Sequence, residues 1–424
     1  MSEDQSEDQQ ESQKPDETDQ SRRAFLATGV AAAAASMIGV RTATAQSGGP
    51  KADAGNTFQV KKILAQPGIF FYPGEELATD EIRVSIMGSG WGNIARRKQA
   101  ACSIFIELGN GDSFVWDMGE GSFVNYNAMQ VPYSRMDKVF LTHLHMDHTT
   151  DVLPLYCFGP ATGDRFSPLK IWGPSGDSTE LGVKYMMETG LKAYTNWHTT
   201  SFRTAVPGTS TSNGGYGLEV TELDYRKSGG IAYQANDVTI KHWPALHVID
   251  GAIGYRLEWN GMSVVWSGDT NPSHFFVENN KQGADLMFHE TAPTVDRLTV
   301  ANAIPEKVSK MIIDASHTPA RALGKIFSLT KPQLGVTVHC PIDPQEISEF
   351  VDEVRVHWKG PYQIAEDFYV FNISKSKNTI TVRQAAINER SWSPNVMKTA
   401  SLSPDLNKAD YRKSGFWAKE IKDY

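Results

Sequence analysis

His143-Leu144-His145-Met146-Asp147-His148 sets four side chains that can ligate a metal within six residues. The run before it, Lys138-Val139-Phe140-Leu141-Thr142, is apolar and β-branched enough to form a buried strand. Alternate residues of an extended segment face the same way, so His143 and His145 can converge on one cation. Asp147 and His148 leave the turn in another direction and suit a second cation close to the first. Imidazoles with a carboxylate fit zinc, and they also accommodate iron or manganese. With 11 histidines in 424 residues, chance produces such a cluster in roughly one chain in a thousand or fewer.

Further candidates stand where apolar runs end. His247 lies beyond Lys241-His242-Trp243-Pro244, Asp269 sits in Ser267-Gly268-Asp269-Thr270, and His339 closes Val336-Thr337-Val338. His242 competes with His247, being near the same strand end. An aspartate between two cations can bridge them and leave each an open position for water or substrate. Cys340, although next to His339, reads as a small buried filler.

The elements that must position these residues are mostly strands. Ile82, Val84 and Ile86 alternate with polar neighbours and run into Gly88-Ser89-Gly90-Trp91-Gly92. That glycine loop lacks the spacing and the following helix of a nucleotide-binding fingerprint. Ser103–Leu108 and Ser113–Trp116 read as a strand pair turning at Gly109-Asn110-Gly111, and the second ends in Asp117-Met118-Gly119-Glu120-Gly121. Further strands are expected at 170–172, stopped by Gly173-Pro174, at 237–241 and at 254–259. The Asn260-Gly261 turn leads into one at 262–266, and others follow at 335–338, 368–373 and 379–382. Residues 314–329 carry helical spacing. Strand clusters with interleaved helices imply a mixed α/β layered fold. Within 177–217, a helical half with Tyr185, Met186, Met187, Tyr194, Trp197 and His198 leads into a loop around Pro207 and Gly208. Aromatics packed against the domain are expected there in preference to a lid over the site.

Residues 1–20 are too polar to bury a core and read as disordered. Arg22-Arg23 then precedes a short apolar stretch from Ala27 to Val40 and a small-residue cleavage site at Ala43-Thr44-Ala45. That arrangement resembles a twin-arginine export signal, too short to span a bilayer. The expectation is a protein handed to the twin-arginine machinery and located in the periplasm or otherwise exported. Residues 46–387 would form the functional domain, with 388–424 a polar, turn-rich tail wrapping it. Eight acidic and four basic side chains lie in the first 45 residues, so half of the net charge of −8 leaves with them. The mildly acidic remainder has no general electrostatic pull on nucleic acid, so no nucleic-acid partner is expected, and no run after residue 45 is long and apolar enough to cross a membrane. Of Cys102, Cys157 and Cys340, two at most can pair.

Asp117, the H-x-H-x-D-H cluster, His247, Gly268-Asp269-Thr270 and His339, in that order, resemble the motif series of metallo-β-lactamase-fold hydrolases over residues 82–340. The resemblance implies a four-layer αββα sandwich with two mixed β-sheets flanked by helices. It assigns His143, His145 and His247 to one metal, Asp147, His148 and His339 to a second, and Asp269 to the bridge, with two zinc ions as cofactor. It gives Asp117 a supporting role and prefers His247 to His242, since Gly254-Tyr255-Arg256-Leu257-Glu258 continues the pattern. Within the fold, Asp117-Met118-Gly119-Glu120-Gly121 is similar to the D-C-G-E-G turn of the RNase Z and arylsulfatase branch. Phe288-His289-Glu290-Thr291 is similar to its H-E-A-T segment, with Thr291 in place of the alanine. Ser316-His317-Thr318-Pro319 stands where RNase Z has H-S-T.

From these residues an exported dinuclear hydrolase of small sulfate or phosphate esters is expected. Asp147 would orient the attacking hydroxide, and His317, kept in place by Glu290, would protonate the leaving group. His289 is expected to be structural, and Trp91, Trp172 and the aromatics near 194–197 to offer an apolar bed for an aryl group. The alternatives are a lactone or lactam hydrolase, an RNase Z-like nuclease and a metal-binding protein without activity.

Overall fold

The computed structural model describes residues 61–92, 98–161, 163–203, 214–342 and 344–387. The expected export signal, the loop around Pro207 and the tail from 388 onward lie outside them.

Two sheets face each other. The larger runs, in spatial order, Lys62–Phe71, Thr379–Ala385, Tyr369–Ser374, Glu81–Gly88, Ser103–Leu108, Ser113–Trp116, Lys138–Phe140, Leu169–Pro174, Leu218–Leu223. The smaller runs Tyr362–Ile364, Leu334–Thr337, Leu286–His289, Met262–Trp266, Ile253–Trp259, Val238–Pro244, Gly230–Ala235. Both mix parallel and antiparallel neighbours. Strand periodicity explains the layering: Ile82, Val84, Ile86, Ile104 and Ile106 from one sheet meet Ile240, Leu257, Val264, Phe288 and Val336 from the other in one buried core. Phe105, Val115, Val139 and Ile171 point the opposite way and are covered by helical residues such as Tyr126 and Leu155. Val265 and Met287 are covered on the far side by Phe276, Leu323, Phe327 and Val354. The result is the αββα sandwich expected.

Some elements differ from the sequence reading. The helical stretch expected over 314–329 is two helices, Glu306–Ser316 and Ala320–Thr330. Pro319 lacks an N–H and pushes the preceding residue out of helical conformation, so the chain breaks at His317, which is extended (φ −135°, ψ 161°). Leu169–Pro174 continues through Gly173-Pro174, with Pro174 paired to Leu223 at the strand's end, where a missing N–H costs little. The strand Lys62–Phe71, paired in parallel with Thr379–Ala385, carries no alternation that would have revealed it.

The segment before residue 203 is helical, ending in Lys192–Arg203. Its packing comes from Met187, Leu191, Thr195 and Thr199, while Tyr194 and Trp197 are 80% and 84% exposed. The expectation of inward packing holds for Met187 and for His198, which lies on Phe158 and Phe202, but not for Tyr194 and Trp197: Leu191, Thr195 and Thr199 fill the contact face beside them. Trp172 is stacked on Phe140 at 4.6 Å and belongs to the core rather than to a substrate bed. The three cysteines are not joined in a disulfide. No helix among the described residues is long and apolar enough to cross a membrane.

Candidate metal centre

Six strands end on the same side of the sandwich, and each end carries a residue of one cluster. Ser113–Trp116 leads to Asp117, Lys138–Phe140 to His143 through His148, Val238–Pro244 to His247, Met262–Trp266 to Asp269, Leu286–His289 to Glu290, and Leu334–Thr337 to His339. Strands running toward one edge deliver their trailing loops to one place, which is how residues over a hundred positions apart meet.

All seven residues read as ligands come together in two sets. His143, His145 and His247 offer nitrogens to one point; Asp147, His148, Asp269 and His339 offer ligand atoms to another. In the first, His145 Nδ1 lies 3.0 Å from His143 Nε2 and 3.1 Å from His247 Nε2. In the second, His148 Nε2 and His339 Nε2 are 3.1 Å apart, and Asp147 Oδ2 is 3.4 Å from His339 Nε2. Asp269 spans both. Its Oδ2 is 3.8 Å from His143 Nε2 and 3.9 Å from His247 Nε2, whereas Oδ1 is 3.3 Å from His148 Nε2 and 3.4 Å from His339 Nε2. His242 stays apart, buried on its strand beside Gly230, so of the two candidates His247 joins the cluster.

The arrangement fits cations. Imidazole nitrogens aimed at one another at these distances need a proton or a metal between them. A tetrahedral zinc with bonds of about 2.0–2.1 Å separates its nitrogen ligands by roughly 3.3 Å, close to the spacing seen. For three of the ligands the other ring nitrogen is committed in the way that fixes a ligating tautomer. His247 Nδ1 donates to the Ser316 carbonyl at 2.9 Å, and His148 Nδ1 donates to Asp117 Oδ2 at 3.0 Å. His143 Nδ1 is 3.2 Å from Thr142 Oγ1.

Asp117 is the organiser of this end. Its carboxylate accepts from Thr142 N at 2.8 Å and from Trp266 Nε1 at 2.8 Å besides holding His148, so one buried group joins three strand ends. Its φ of 55° is left-handed, as is that of His339. Both are conformations that side chains with a Cβ rarely adopt and that cluster at functional sites. Gly119 follows because a Cβ there would collide with the carbonyl oxygen of Asp147. Cys102 lies beside Asp117 and His148, but burial, reinforced by Asp117, pushes its thiol well up and keeps it protonated.

The electrostatics expose a shortage of positive charge. Burial drives His143 well below the ordinary imidazole value and His247 down to about 3, so both are neutral donors. Burial opposes charge on His148 too, but Asp269, Asp147 and Asp117 outweigh it and hold that imidazole well above its usual range. Burial would likewise raise Asp147, yet His148 and the hydrogen bond from His339 bring its carboxyl down to about 2. Buried carboxylates around imidazoles are a setting that a divalent cation relieves.

His317 and Glu290 flank the cluster. The His317 ring is 5.4 Å from that of His247 and 6.2 Å from that of His339, and Trp91 packs on it at 5.2 Å. Glu290 Oε1 is 3.3 Å from His317 Nδ1 and accepts from Thr270 N at 3.0 Å and Thr318 N at 3.1 Å. Burial lowers His317 on its own, but Glu290 more than offsets this, so the imidazole holds its proton more tightly than a free histidine. His289 points away: its Nδ1 donates to the Glu290 carbonyl at 2.8 Å, and its ring lies between Phe276 and Phe327. The supports Thr142, Trp266 and Ser316 carry no signal in the sequence, because any of these residue types is commonplace at a strand or helix end.

A profile of the beta-lactamase superfamily domain matches residues 115–340. The chain is similar to a ribonuclease Z of Mycobacterium bovis, 27% identical over 293 residues that cover 68% of this chain and 97% of the relative. It is also similar to a ribonuclease BN of Proteus mirabilis, 24% identical over 69% of this chain and the relative's whole length. Among solved structures, the metallo-β-lactamase-fold protein YhfI of Bacillus subtilis superposes with a TM-score of 0.51 and 18% identity, covering 69% of this chain and all of that one.

Proposed function

We propose that this chain, which belongs to the metallo-β-lactamase superfamily, is a hydrolase of phosphodiester bonds working at two zinc ions. The observation that carries the reading is the division of Asp269, one oxygen facing each ligand set. Two divalent cations held there would lower the pKa of a water and neutralise charge building on the phosphoryl oxygens. The protein's own groups supply the rest. Asp147, ionised down to about pH 2, accepts a hydrogen bond from the attacking water and fixes its direction. His317, its Nδ1 held by Glu290, delivers a proton from Nε2 to the departing oxygen. Trp91 seals one flank of His317 against solvent.

The relatives named ribonuclease Z and ribonuclease BN favour a phosphodiester over the sulfate ester, and they favour RNA as the form in which it is met. The small-ester reading, with sulfate as well as phosphate substrates, is the weaker of the two on that ground. The protein loaded with zinc should be offered bis-nitrophenyl phosphate, nitrophenyl sulfate, a lactone, a cephalosporin and a structured RNA with a 3′ extension. Turnover of the phosphodiester and of RNA is expected; hydrolysis of the sulfate, lactone or cephalosporin alone would overturn the proposal. Export is a separate proposal resting on Arg22-Arg23 and Ala43-Thr44-Ala45. It predicts that a tagged full-length chain reaches the periplasmic fraction with its N-terminus at Gln46, and that replacing both arginines by lysine retains it in the cytoplasm.

A further inference from the structure

The glycine loop Gly88-Ser89-Gly90-Trp91-Gly92 is wedged against one of the ligands. His339 is left-handed at φ 55°, a conformation held only where its neighbours fix it. On one side, Val338 N donates to the His289 carbonyl at 3.1 Å. On the other, both backbone groups of Cys340 are gripped: its N–H donates to the Ser89 carbonyl at 3.2 Å, and its carbonyl accepts from Gln99 Nε2 at 2.8 Å. Gln99 Nε2 also lies 3.2 Å from the Ser89 carbonyl, so Ser89 and Gln99 act as one clamp.

That clamp is set by Asp367. Its Oδ1 accepts from Ser89 N at 2.9 Å and Ser89 Oγ at 2.7 Å, and its Oδ2 accepts from Ala100 N at 2.8 Å and Asn125 Nδ2 at 2.9 Å. One carboxylate thus ties together the glycine loop, the chain entering Ser103–Leu108 and the helix Ser122–Ala128. The loop can lie this close only because it is glycine-rich: a Cβ on Gly88 would collide with the carbonyl of Ala101, and one on Gly90 with that of Ala100.

We propose that Asp367 is a positioning residue, holding the left-handed turn at His339 through Ser89 and Gln99 so that His339 Nε2 stays with Asp147, His148 and Asp269. The inference rests on the dinuclear reading. Zinc binding constants of the full-length chain and of its Asp367→Asn and Gln99→Leu variants, measured by competition with a chromogenic chelator, test it. The unaltered protein should take up two zinc ions. In each variant one constant should weaken by about 10- to 100-fold while the other is unchanged. If Asp367→Asn does not fold, Ser89→Ala, which removes the 2.7 Å bond from Ser89 Oγ to Asp367 Oδ1, takes its place beside Gln99→Leu and should weaken the same constant. Both constants unchanged, or both weakened equally, overturns the positioning role. An unaltered chain that takes up fewer than two zinc ions overturns the dinuclear reading, and the proposal with it.

Discussion

Three imidazoles, one of them exposed at His145, make up one ligand set; two imidazoles and two carboxylates, none of them exposed, make up the other. The first is a set of neutral donors at the mouth, made neutral by burial of His143 and His247. The second is closed and rich in negative charge, and Asp117 stiffens it from behind. A cation in the closed set would be held by charge as well as by donor atoms, among four buried side chains. The open set suits exchange and contact with substrate; the closed one suits permanence. Among the described residues, Asp269 is the side chain that faces both.

Removing that shared residue should have the largest effect. Asp269→Ala is expected to lose both ions and to lower turnover by on the order of 1000-fold or more. Retention of both ions by metal analysis would show the sets to be independent. Next comes His317, which stands beside both sets without belonging to either. His317→Ala should cost about 100- to 1000-fold in rate with two ions still bound. Loss of an ion instead would make it a ligand. A chelator added to the zinc-loaded protein should then remove the ion of the open set first, and His145→Ala should leave a single, slowly exchanging ion. Fast loss of both from the unaltered protein would erase the distinction. Asp117→Asn reaches the closed set directly, through His148, and the open set only through Thr142, so it should weaken one zinc constant by about 10- to 100-fold and the other less.

The smallest effect serves as a control outside both sets. Burial depresses His289 to about 4 in the folded protein, against an ordinary value of 6.5. Between those values the unfolded chain binds a proton that the folded chain refuses. Stability from this residue is therefore complete above pH 6.5 and falls as the pH drops toward 4, by about 3 kcal/mol at most. In metal-free protein, His289→Leu should flatten the fall of unfolding free energy over that window. An unchanged slope would mean that His289 titrates alike in the folded and unfolded chain.

The two sets were not equally legible in the sequence. The larger sheet presents four ligand candidates in six residues, because one strand end and one turn suffice to hold them. The smaller sheet supplies His247, Asp269 and His339 from three separate strands. No spacing rule links such residues; only their order along the chain, read with the family resemblance, distinguished His247 from His242. Alternation revealed most strands lining the inter-sheet core, since each buries one face and exposes the other to a different layer. It missed Lys62–Phe71, whose partner lies at the far end of the chain. Helical spacing ran through His317 because periodicity is blind to the break that Thr318-Pro319 imposes. Ser89, Gln99 and Asp367 were invisible for another reason: their contribution is a backbone carbonyl, an amide and a carboxylate that accepts four hydrogen bonds, each unremarkable until the loop closes on His339.

Every ligand follows the trailing end of a strand, so the leading ends meet on the opposite side. There the turns at Asn110, Asn236, Asn260 and Lys375 come together, with Asn110 Nδ2 donating to the Asn236 carbonyl at 3.3 Å and Lys375 Nζ to Asn260 Oδ1 at 2.7 Å. Among the described residues none of the groups able to hold a metal lies on that side, which is separated from the cluster by the length of the strands. A fluorophore, an affinity tag or a surface tether attached at Lys375 would sit where it can report on the protein, or immobilise it, without touching the reaction.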